Sequence, residues 1–487
     1  MVPNAAGAVC PGCETRDARI AALEARVVAL ERQLADALAR LNQTSRTSHR
    51  PPSSDPPGTV RPPKPPTGRA PGGQPGPVKH DRPLAPPEDV SEFVVVKPPA
   101  CGDCGAPLRG ADPMPVRHQV AELPEIHPTI IEYLLHALRC RDCGAVTRAT
   151  VPTGVPRGAF GPRLVALVAL LTGAYHVSKR GVVALLADVL HLDLSLGAVA
   201  ACEQQASAAL ASPAAEAHAY VQAQPAVGAD ETGWRERRRR AWLWVATTAR
   251  VTAFRLAPWR SEAIARELLG SAFRGVLGSD RWAAYRWLPL RRRQLCWAHL
   301  TRDFAAMGEA PGRAGRVGAR LTAARDRLFA WWGRFREGAL TRRTLQTYLG
   351  RLRPEVGAAL RAGMRSGHAK TAGMCREILK EEPALWTFAR VPGVEPTNNA
   401  SERALRPAVL WRKQSFGTHS AAGSRFVERV MTAVTTLRLQ GRHVLGYLEA
   451  RFPRHEVIVV DDGSADATSK VAAAAAAGRA NFRVLRR

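Results

Sequence analysis

The sequence predicts a multidomain α/β protein, on three observations. Two short apolar runs, Pro225-Ala226-Val227-Gly228-Ala229 and Gly275-Val276-Leu277-Gly278-Ser279, each lead into a carboxylate, Asp230 and Asp280. Runs of small and branched apolar residues bounded by glycine and charge read as short buried strands. A long Arg-rich stretch, about 294–391, carries helical patterning, and a Pro, Gly, Ser and Arg segment at 45–87 holds almost nothing apolar to bury. The chain of 487 residues is long enough for several domains and at least one sizeable core.

Composition narrows the function classes. Lys and Arg total 70 against 42 Asp and Glu, a formal net charge of +28. Such an excess points to a polyanionic partner, nucleic acid first, although GC-rich coding also raises Arg, Ala and Pro together. The N-terminus lacks the basic start and apolar core of a signal peptide, and the apolar run Leu164 to Ala174 is too short to span a bilayer. A cytoplasmic, nucleoid-associated protein with no membrane partner is expected. In a reducing compartment the nine cysteines are thiols or metal ligands rather than disulfides.

Within 1–44, Ile20, Leu23, Val27, Leu30, Leu34, Ala37 and Leu41 recur at spacings of three and four, a short heptad seam. It joins two protomers or packs on its own domain; dimerisation is the favoured expectation. Cys10 and Cys13 form a lone C-x-x-C. The segment 45–87 is expected to be an extended linker. In 88–155, Cys101-Gly-Asp-Cys104 and Cys140-Arg-Asp-Cys143, each followed by glycine, form a zinc-ribbon signature. Two such turns complete a closed tetrahedral site with no position open for water, so the expected zinc is structural. Ile126 to Leu138 is expected to supply the ribbon's β-arm. The region 156–222 reads as helical and helix-turn-helix-like, Ser195 capping its last predicted helix. That helix is poor in Arg and Lys, leaving DNA reading and simple packing both open.

The region 223–450 carries the candidate chemistry. After Asp230, the segments at 241–247 and 251–256 read as antiparallel strands, followed by a helix and the strand ending at Asp280; two neighbouring parallel strands would bring Asp230 and Asp280 together. The bland reading of Asp230 is a turn-initiating residue after a core strand. Cys296-Trp-Ala-His299 has ligand-like spacing, yet no second pair completes it, so a packed cysteine and a hydrogen-bonded histidine are favoured. Trp331, Trp332 and Trp386 suit core or base stacking. Beyond the helical stretch, Thr397 or a neighbouring Asn caps a helix with Glu402 about one turn in, and Arg403, Arg406, Arg412 and Lys413 beyond. An acid among such cations suits a phosphate-cutting metal site, in which a cation is held by the acid and the scissile strand by the arginines.

Together, the leucine-rich start, the cysteine pairs, Asp230-Glu-Thr-Gly-Trp234, Ser279-Asp-Arg-Trp-Ala-Ala-Tyr285, Cys296-Trp-Ala-His299 and Asn398-Asn-Ala-Ser-Glu-Arg403 resemble the transposases of the insertion sequence 66 family. The resemblance covers nearly all of 18–450. It implies an RNase H-like catalytic core with a helical insertion, preceded by a coiled coil, a zinc ribbon and a helical domain. Asp230, Asp280 and Glu402 would be the DDE triad, holding two Mg²⁺ ions, with Mn²⁺ able to substitute, about 4 Å apart across the attacking and leaving oxygens. Arg403, Arg406, Arg412 and Lys413 would contact DNA. Implied partners are the terminal inverted repeats, target DNA, a second copy of the chain and element-encoded accessory proteins. A decayed copy acting as a DNA-binding repressor is the alternative.

The tail, 451–487, departs from that pattern. Glu456-Val-Ile-Val-Val-Asp-Asp-Gly-Ser464 resembles the nucleotide-binding strand and turn of GT-A glycosyltransferases. It is too short to build that fold, so Val457 to Val460 is expected to be a strand with no sheet to join.

Overall fold

The leucine-rich N-terminus forms a single helix, α1 (Pro11–Leu41), in a computed structural model that describes residues 11–41, 82–156, 158–452, 457–461 and 482–486. Cys10 and the expected linker over 45–81 lie outside the described residues. Ile20, Leu23, Val27, Leu30 and Leu34 of α1 are exposed in the single chain.

The chain divides into two units: Val60–Thr129 with Val189–His191, and the remainder. As described from residue 82, the smaller unit has little regular structure. An isolated bridge between Ala100 and Pro107 closes a turn around Cys101. Val94, Val95, Val96, Val116 and Leu123 are exposed. The β-arm expected from Ile126 to Leu138 is not formed over most of its length. Of the expected arm, only the end is paired among the described residues: β1 (Ala137–Arg139), in the larger unit, runs antiparallel to β2 (Val146–Arg148). Ile130 has the β-branched character of a strand residue but is 83% exposed, with no pairing strand among the described residues.

Four helices open the rest of the larger unit: α2 (Pro162–Gly173), α3 (Lys179–Leu190), α4 (Leu196–Ala209) and α5 (Ala211–Gln222). Ser195 caps α4 as the sequence predicts, its Oγ accepting from Ala198 N at 3.1 Å. A five-stranded sheet follows, from β3 (Ala226–Glu236), β4 (Arg239–Thr247), β5 (Thr252–Ala257), α6 (Glu262–Leu269), β6 (Val276–Ser279) and β7 (Arg293–Leu295), in the order β5-β4-β3-β6-β7. β3, β4 and β5 are antiparallel neighbours, whereas β3, β6 and β7 run parallel. β3 continues past Asp230 because β4 pairs with it as far as Glu236, so Gly233, which reads as a strand terminator, lies inside the ladder opposite Trp242.

Side-chain alternation along β4 assigns the two faces. Trp244 and Ala246 pack with Ala217 and Val221 of α5 and Ala265 and Leu268 of α6. Leu243 and Val245 pack on the other face with Ala166, Ala169 and Leu170 of α2, Ala206 of α4 and helices from the C-terminal part of the chain. The residues α2 and α4 bury thus belong to the sheet's own core.

Between β7 and the next long helix the chain is helical: α7 (Trp297–Gly308), α8 (Gly312–Arg336), α9 (Arg342–Met364), α10 (Ala369–Lys380) and α11 (Thr387–Arg390). They share a core of Trp297, Phe304, Leu321, Leu328, Leu349, Leu360, Ile378 and Phe388, into which Trp386 and Trp332 also pack. The chain returns to the sheet as α12 (Asn399–Ser415) and α13 (Ala421–Leu439), then ends this core with α14 (Val444–Glu449) and Phe452. α13 also satisfies the open edge of the sheet. Thr436 Oγ1 accepts from Thr252 N at 3.1 Å, Thr432 Oγ1 from Phe254 N at 3.0 Å and Glu428 Oε1 from Leu256 N at 2.6 Å. Edge N–H groups that would otherwise template pairing with another chain are thereby used up. In the tail, β8 (Val457–Asp461) pairs in parallel with β9 (Phe482–Arg486), Val457 opposite Phe482. The expectation of a strand without a partner is therefore corrected: the apolar Phe482-Arg-Val-Leu-Arg486 stretch supplies one.

Candidate active site

The site begins with register. Val227 lies beside Leu277 and Gly228 beside Gly278 in the parallel β3–β6 pair. Continuing that register sets Asp230 level with Asp280, the first residue beyond β6. The two carboxylates named from sequence thus share one end of the parallel ladder, Asp230 within its strand and Asp280 just past its own. Asp280 is held by the turn it starts: its Oδ1 accepts from Trp282 N at 2.9 Å, and Ser279 Oγ donates to its carbonyl at 2.9 Å.

Glu402 reaches the same place through a glycine. A Cβ at Gly228 would lie 2.7 Å from Ser401 Oγ, 2.9 Å from Asn398 Oδ1 and 2.9 Å from Thr247 Oγ1. Only glycine there lets the start of α12 lie on β3. Asn398 occupies the N-cap position of α12 without capping it, because its Nδ2 donates instead to the Ala229 carbonyl at 2.7 Å. Ser401 Oγ is 2.8 Å from Thr247 Oγ1. These bonds fix the first turn of α12, and with it Glu402, against the residue preceding Asp230.

Cys296-Trp-Ala-His299 lies on the same side. Cys296 is buried, its Sγ accepts from Asn398 N at 3.2 Å, and burial pushes its thiol up to about 11. A packed, unreactive cysteine is what the sequence favoured. His299 has a closer role than its spacing suggested, with Nδ1 3.5 Å from Glu402 Oε1. One potential ligand atom from each of Cys296, His299 and Glu402 lies within 4.8 Å of the other two.

Sequence reasoning missed Glu231. Its side chain is 1% exposed, paired with Arg260, whose Nε lies 2.8 Å from Oε1, and hydrogen-bonded by Tyr285 OH at 2.6 Å. The Arg260 guanidinium sits over the Trp282 ring at 4.0 Å and the Trp242 ring at 5.1 Å, a cation held by two aromatic faces. Tyr285 is fully buried, and burial beside Glu231 holds its hydroxyl well above the usual phenol range. The Asp230-Glu231 and Asp280-to-Tyr285 motifs are thereby joined. Arg281 makes a second tie, pairing with the buried Asp303 of α7. The only sequence signal was that Glu231, Arg281 and Tyr285 sit in the same short motifs as the aspartates.

The electrostatics are those of crowded negative charge. Burial raises the Asp230 carboxyl well above the usual range, and Glu231, Asp280 and Glu402 push it further in that order; the Glu231 N–H, donating at 2.9 Å, pulls the other way. Glu231 is raised by burial and by Asp280, with Arg260 opposing. Arg260 is committed to Glu231, so no ion pair among the described residues neutralises Asp230 or Asp280. Half-buried carboxylates with no cation between them suit a cation-binding site, since a divalent ion relieves their repulsion and satisfies the oxygens. The three carboxylates from β3, the β6 end and α12 offer the hard oxygen donors that a divalent metal takes, but their oxygens do not all lie within 4.8 Å of one another, as one ligand atom each from Cys296, His299 and Glu402 does.

The predicted DNA contacts divide. Arg403, Arg406 and Lys413 of α12 are exposed. Arg412 is half-buried and its guanidinium donates to the Gly233 carbonyl, so it serves at least in part to tie α12 to β3.

Residues 157–425, a stretch containing all of these elements, match the model of the family described as Transposase IS66 family. The chain belongs to the IS66 transposase family. An uncharacterised Sinorhizobium fredii protein (strain NBRC 101917 / NGR234), y4qI, is 28% identical over 245 residues, 44% of this chain and 44% of that protein. The IS66 chain thus matches less than half the length of that relative. The family match stops at residue 425, and nothing supports the glycosyltransferase resemblance of the tail. No helix among the described residues is long and apolar enough to cross a membrane.

The cysteine pairs of this IS66 chain form twin turns. Cys101 N donates to Ala106 O at 2.9 Å and Gly105 N to Cys101 O at 3.0 Å; Cys140 N donates to Ala145 O at 2.8 Å and Gly144 N to Cys140 O at 3.0 Å. Gly105 and Gly144 both adopt φ +73°, a left-handed conformation that explains the glycine after each pair. Backbone N–H groups of Cys104 and Asp103 lower the Cys101 thiol, and those of Cys143 and Asp142 lower Cys140. Lowered thiols on a tight turn suit thiolate ligation of zinc. Cys101 and Cys104 belong to the smaller unit, and Cys140 and Cys143 to the larger.

Proposed function

We propose that this IS66-family chain is a DNA transposase with an RNase H-like core, in which Asp230, Asp280 and Glu402 form a metal-dependent strand-cleavage and strand-transfer site. The observation that supports the reading is that Asp230 and Asp280 lie level in register at one end of the β3–β6 ladder, while Asn398 and Ser401, beside Glu402 at the start of α12, pack against Gly228. A divalent metal held by these carboxylates, Mg²⁺ with Mn²⁺ as substitute, would stabilise charge on the attacking and leaving oxygens of a phosphodiester.

This chain's own residues do the rest. Asp230, Asp280 and Glu402 collect the cation, and Glu231 with Arg260 and Tyr285 keeps the Asp230 and Asp280 segments in register. His299 orients Glu402. Arg403 and Arg406, exposed beside Glu402 on α12, neutralise the scissile strand's phosphates, with Lys413 further along the helix. Water is the first nucleophile and a freed 3′-OH the second. The partners are the element's terminal inverted repeats, target DNA and a second copy of the chain joined along the exposed seam of α1; accessory proteins encoded by the element are expected. Zinc held by Cys101, Cys104, Cys140 and Cys143 stiffens the N-terminal segment that reads the ends. The same reading places the protein in the cytoplasm, at the nucleoid.

The test is Mg²⁺-dependent cleavage of a duplex carrying the terminal inverted repeats. Asp230→Asn, Asp280→Asn and Glu402→Gln are each expected to lower cleavage at least about a hundredfold to a thousandfold while leaving end binding nearly intact. Near-normal cleavage by any one of them removes that residue from the triad, and end binding without cleavage by the unaltered chain favours the repressor alternative.

A further inference from the structure

The arginines of the helical layer between β7 and α12 fall into two groups. Some are consumed inside the layer: Arg327 pairs with Glu355 at 2.5 Å, Arg353 with Glu382 at 2.7 Å, and Arg325 with its neighbour Asp326. Arg313, Arg316 and Arg320 of α8 and Arg365 just beyond α9 are different. All four are exposed and make no ion pair or side-chain hydrogen bond among the described residues. They line one surface concavity of about 400 Å³, completed by Val317 and Ala362.

The sequence builds this cluster deliberately. Positions 313, 316 and 320 share one face of α8, while Ala314, Val317, Gly318 and Leu321 turn inward. Close packing fixes the backbone beneath. A Cβ at Gly318 would lie 2.2 Å from Gly308 N, one at Gly315 2.4 Å from Ala310 O, and one at Gly363 2.3 Å from Cys375 Sγ and 3.1 Å from Val317. Glycine at these points locks α8 against the end of α7, and α9 against α8 and α10. The first turn of α8 contains no acidic residue, so its helix dipole adds to the positive field. Four like charges held together on a rigid surface repel one another until an anion is bound.

We infer that this α8–α9 arginine cluster is a binding site for the phosphate backbone of duplex DNA, additional to the cations of α12. Arg313 to Arg320 spans about 10 Å along the helix axis, the rise of about three base pairs. The lining contains guanidinium groups and two aliphatic side chains but no amide, carboxylate or aromatic ring, so it is equipped to hold phosphates and not to read base edges. Binding here is sequence-independent and positions the duplex rather than selecting it.

The inference rests on the reading of the chain as a DNA transposase, and its test separates the two. The full-length chain carrying Glu402→Gln, to prevent turnover, is titrated against a random-sequence duplex between about 50 and 200 mM salt. Changing Arg313, Arg316, Arg320 and Arg365 together to Ala should reduce the slope of log affinity against log salt by about 3 to 4, near 0.9 for each phosphate no longer neutralised. The same four changed to Lys should keep the slope. A control set in the same layer, Arg325, Arg327 and Arg353 to Ala, should change it by less than about 1 because those charges are already paired. Circular dichroism melts check that each variant folds. An unchanged slope in the alanine set, a reduction equalled by the control set, or failure of the lysine set to retain the slope overturns the site. Absence of duplex binding by the parent chain overturns the transposase reading instead.

Discussion

The sheet-centred core and the cysteine-bearing segment that precedes it solve the same problem by opposite means. In the core, Trp244, Phe254, Leu243 and Tyr285 are fully buried, and the carboxylates are positioned by packing: glycine at 228, a redirected Asn398, Glu231 clamped to Arg260. In the smaller unit Val95 is 77% and Val96 86% exposed, and local order is concentrated in a turn around Cys101. A stretch that buries so little apolar surface needs another source of folding energy, and thiolate-bound zinc is the one its sequence offers. Where burial is available, charge is placed by neighbours distant in sequence. Where it is not, charge is placed by a turn a few residues long.

The largest effect should come from removing that metal. Chelation, or Cys101→Ser with Cys104→Ser, is expected to remove the metal's contribution to folding and to make residues 82–156 protease-sensitive while 158–452 stays protected. Limited proteolysis with mass spectrometry reads both halves of the contrast, and purified protein with no stoichiometric zinc would break it.

Next is the clamp. Arg260→Ala leaves Glu231 buried without its cation, and removing one partner of a buried pair costs about 3 to 5 kcal/mol. Arg260 is itself partly exposed, so the lower end is expected in a denaturant melt, with cleavage lost as Asp230 and Asp280 drift apart. Arg260→Met, which keeps apolar packing on Trp242 and Trp282, should not restore activity.

Smaller still is Gly228→Ala. The added methyl meets Ser401, Asn398 and Thr247 at less than 3.0 Å, an overpacking expected to cost about 1 to 3 kcal/mol. Because the atoms it displaces hold the start of α12, cleavage should fall more than stability does. Equal losses would mean that the seating of Glu402 on β3 is structural only.

How much of this was legible in the sequence follows from the range of each interaction. The apolar runs into Asp230 and Asp280, the Ser195 cap and the helical stretch at 294–391 are local patterns. Their pairing into one site needed only the expectation of adjacent parallel strands. The Glu231–Arg260 clamp was not legible, since Glu231 reads as one more polar residue after a strand and its partner lies beyond two further strands. Asn398 read as a helix cap because capping is the local use of asparagine, whereas its side chain serves the Ala229 carbonyl. The β-arm failed for the opposite reason: branched residues at 126–131 have strand character but no partner strand. In the tail, Phe482–Arg486 supplied a partner that the glycosyltransferase resemblance concealed.

The central claim is that Asp230, Asp280 and Glu402 together hold a divalent cation whose absence leaves them repelling one another. Burial and three neighbouring acids raise the Asp230 carboxyl. Its folded form therefore favours the protonated state, and the metal-free protein loses stability as pH rises from the unfolded carboxylate range through the raised value. Thermal melts of the unaltered chain and of Asp230→Asn, Asp280→Asn and Glu402→Gln, with and without Mn²⁺ at neutral pH, measure this directly. Without metal, Asp230→Asn should melt above the unaltered chain; with Mn²⁺ the unaltered chain should rise while each variant stays nearly where it was. A Mn²⁺-dependent rise of the same size in any of the three variants would overturn that claim.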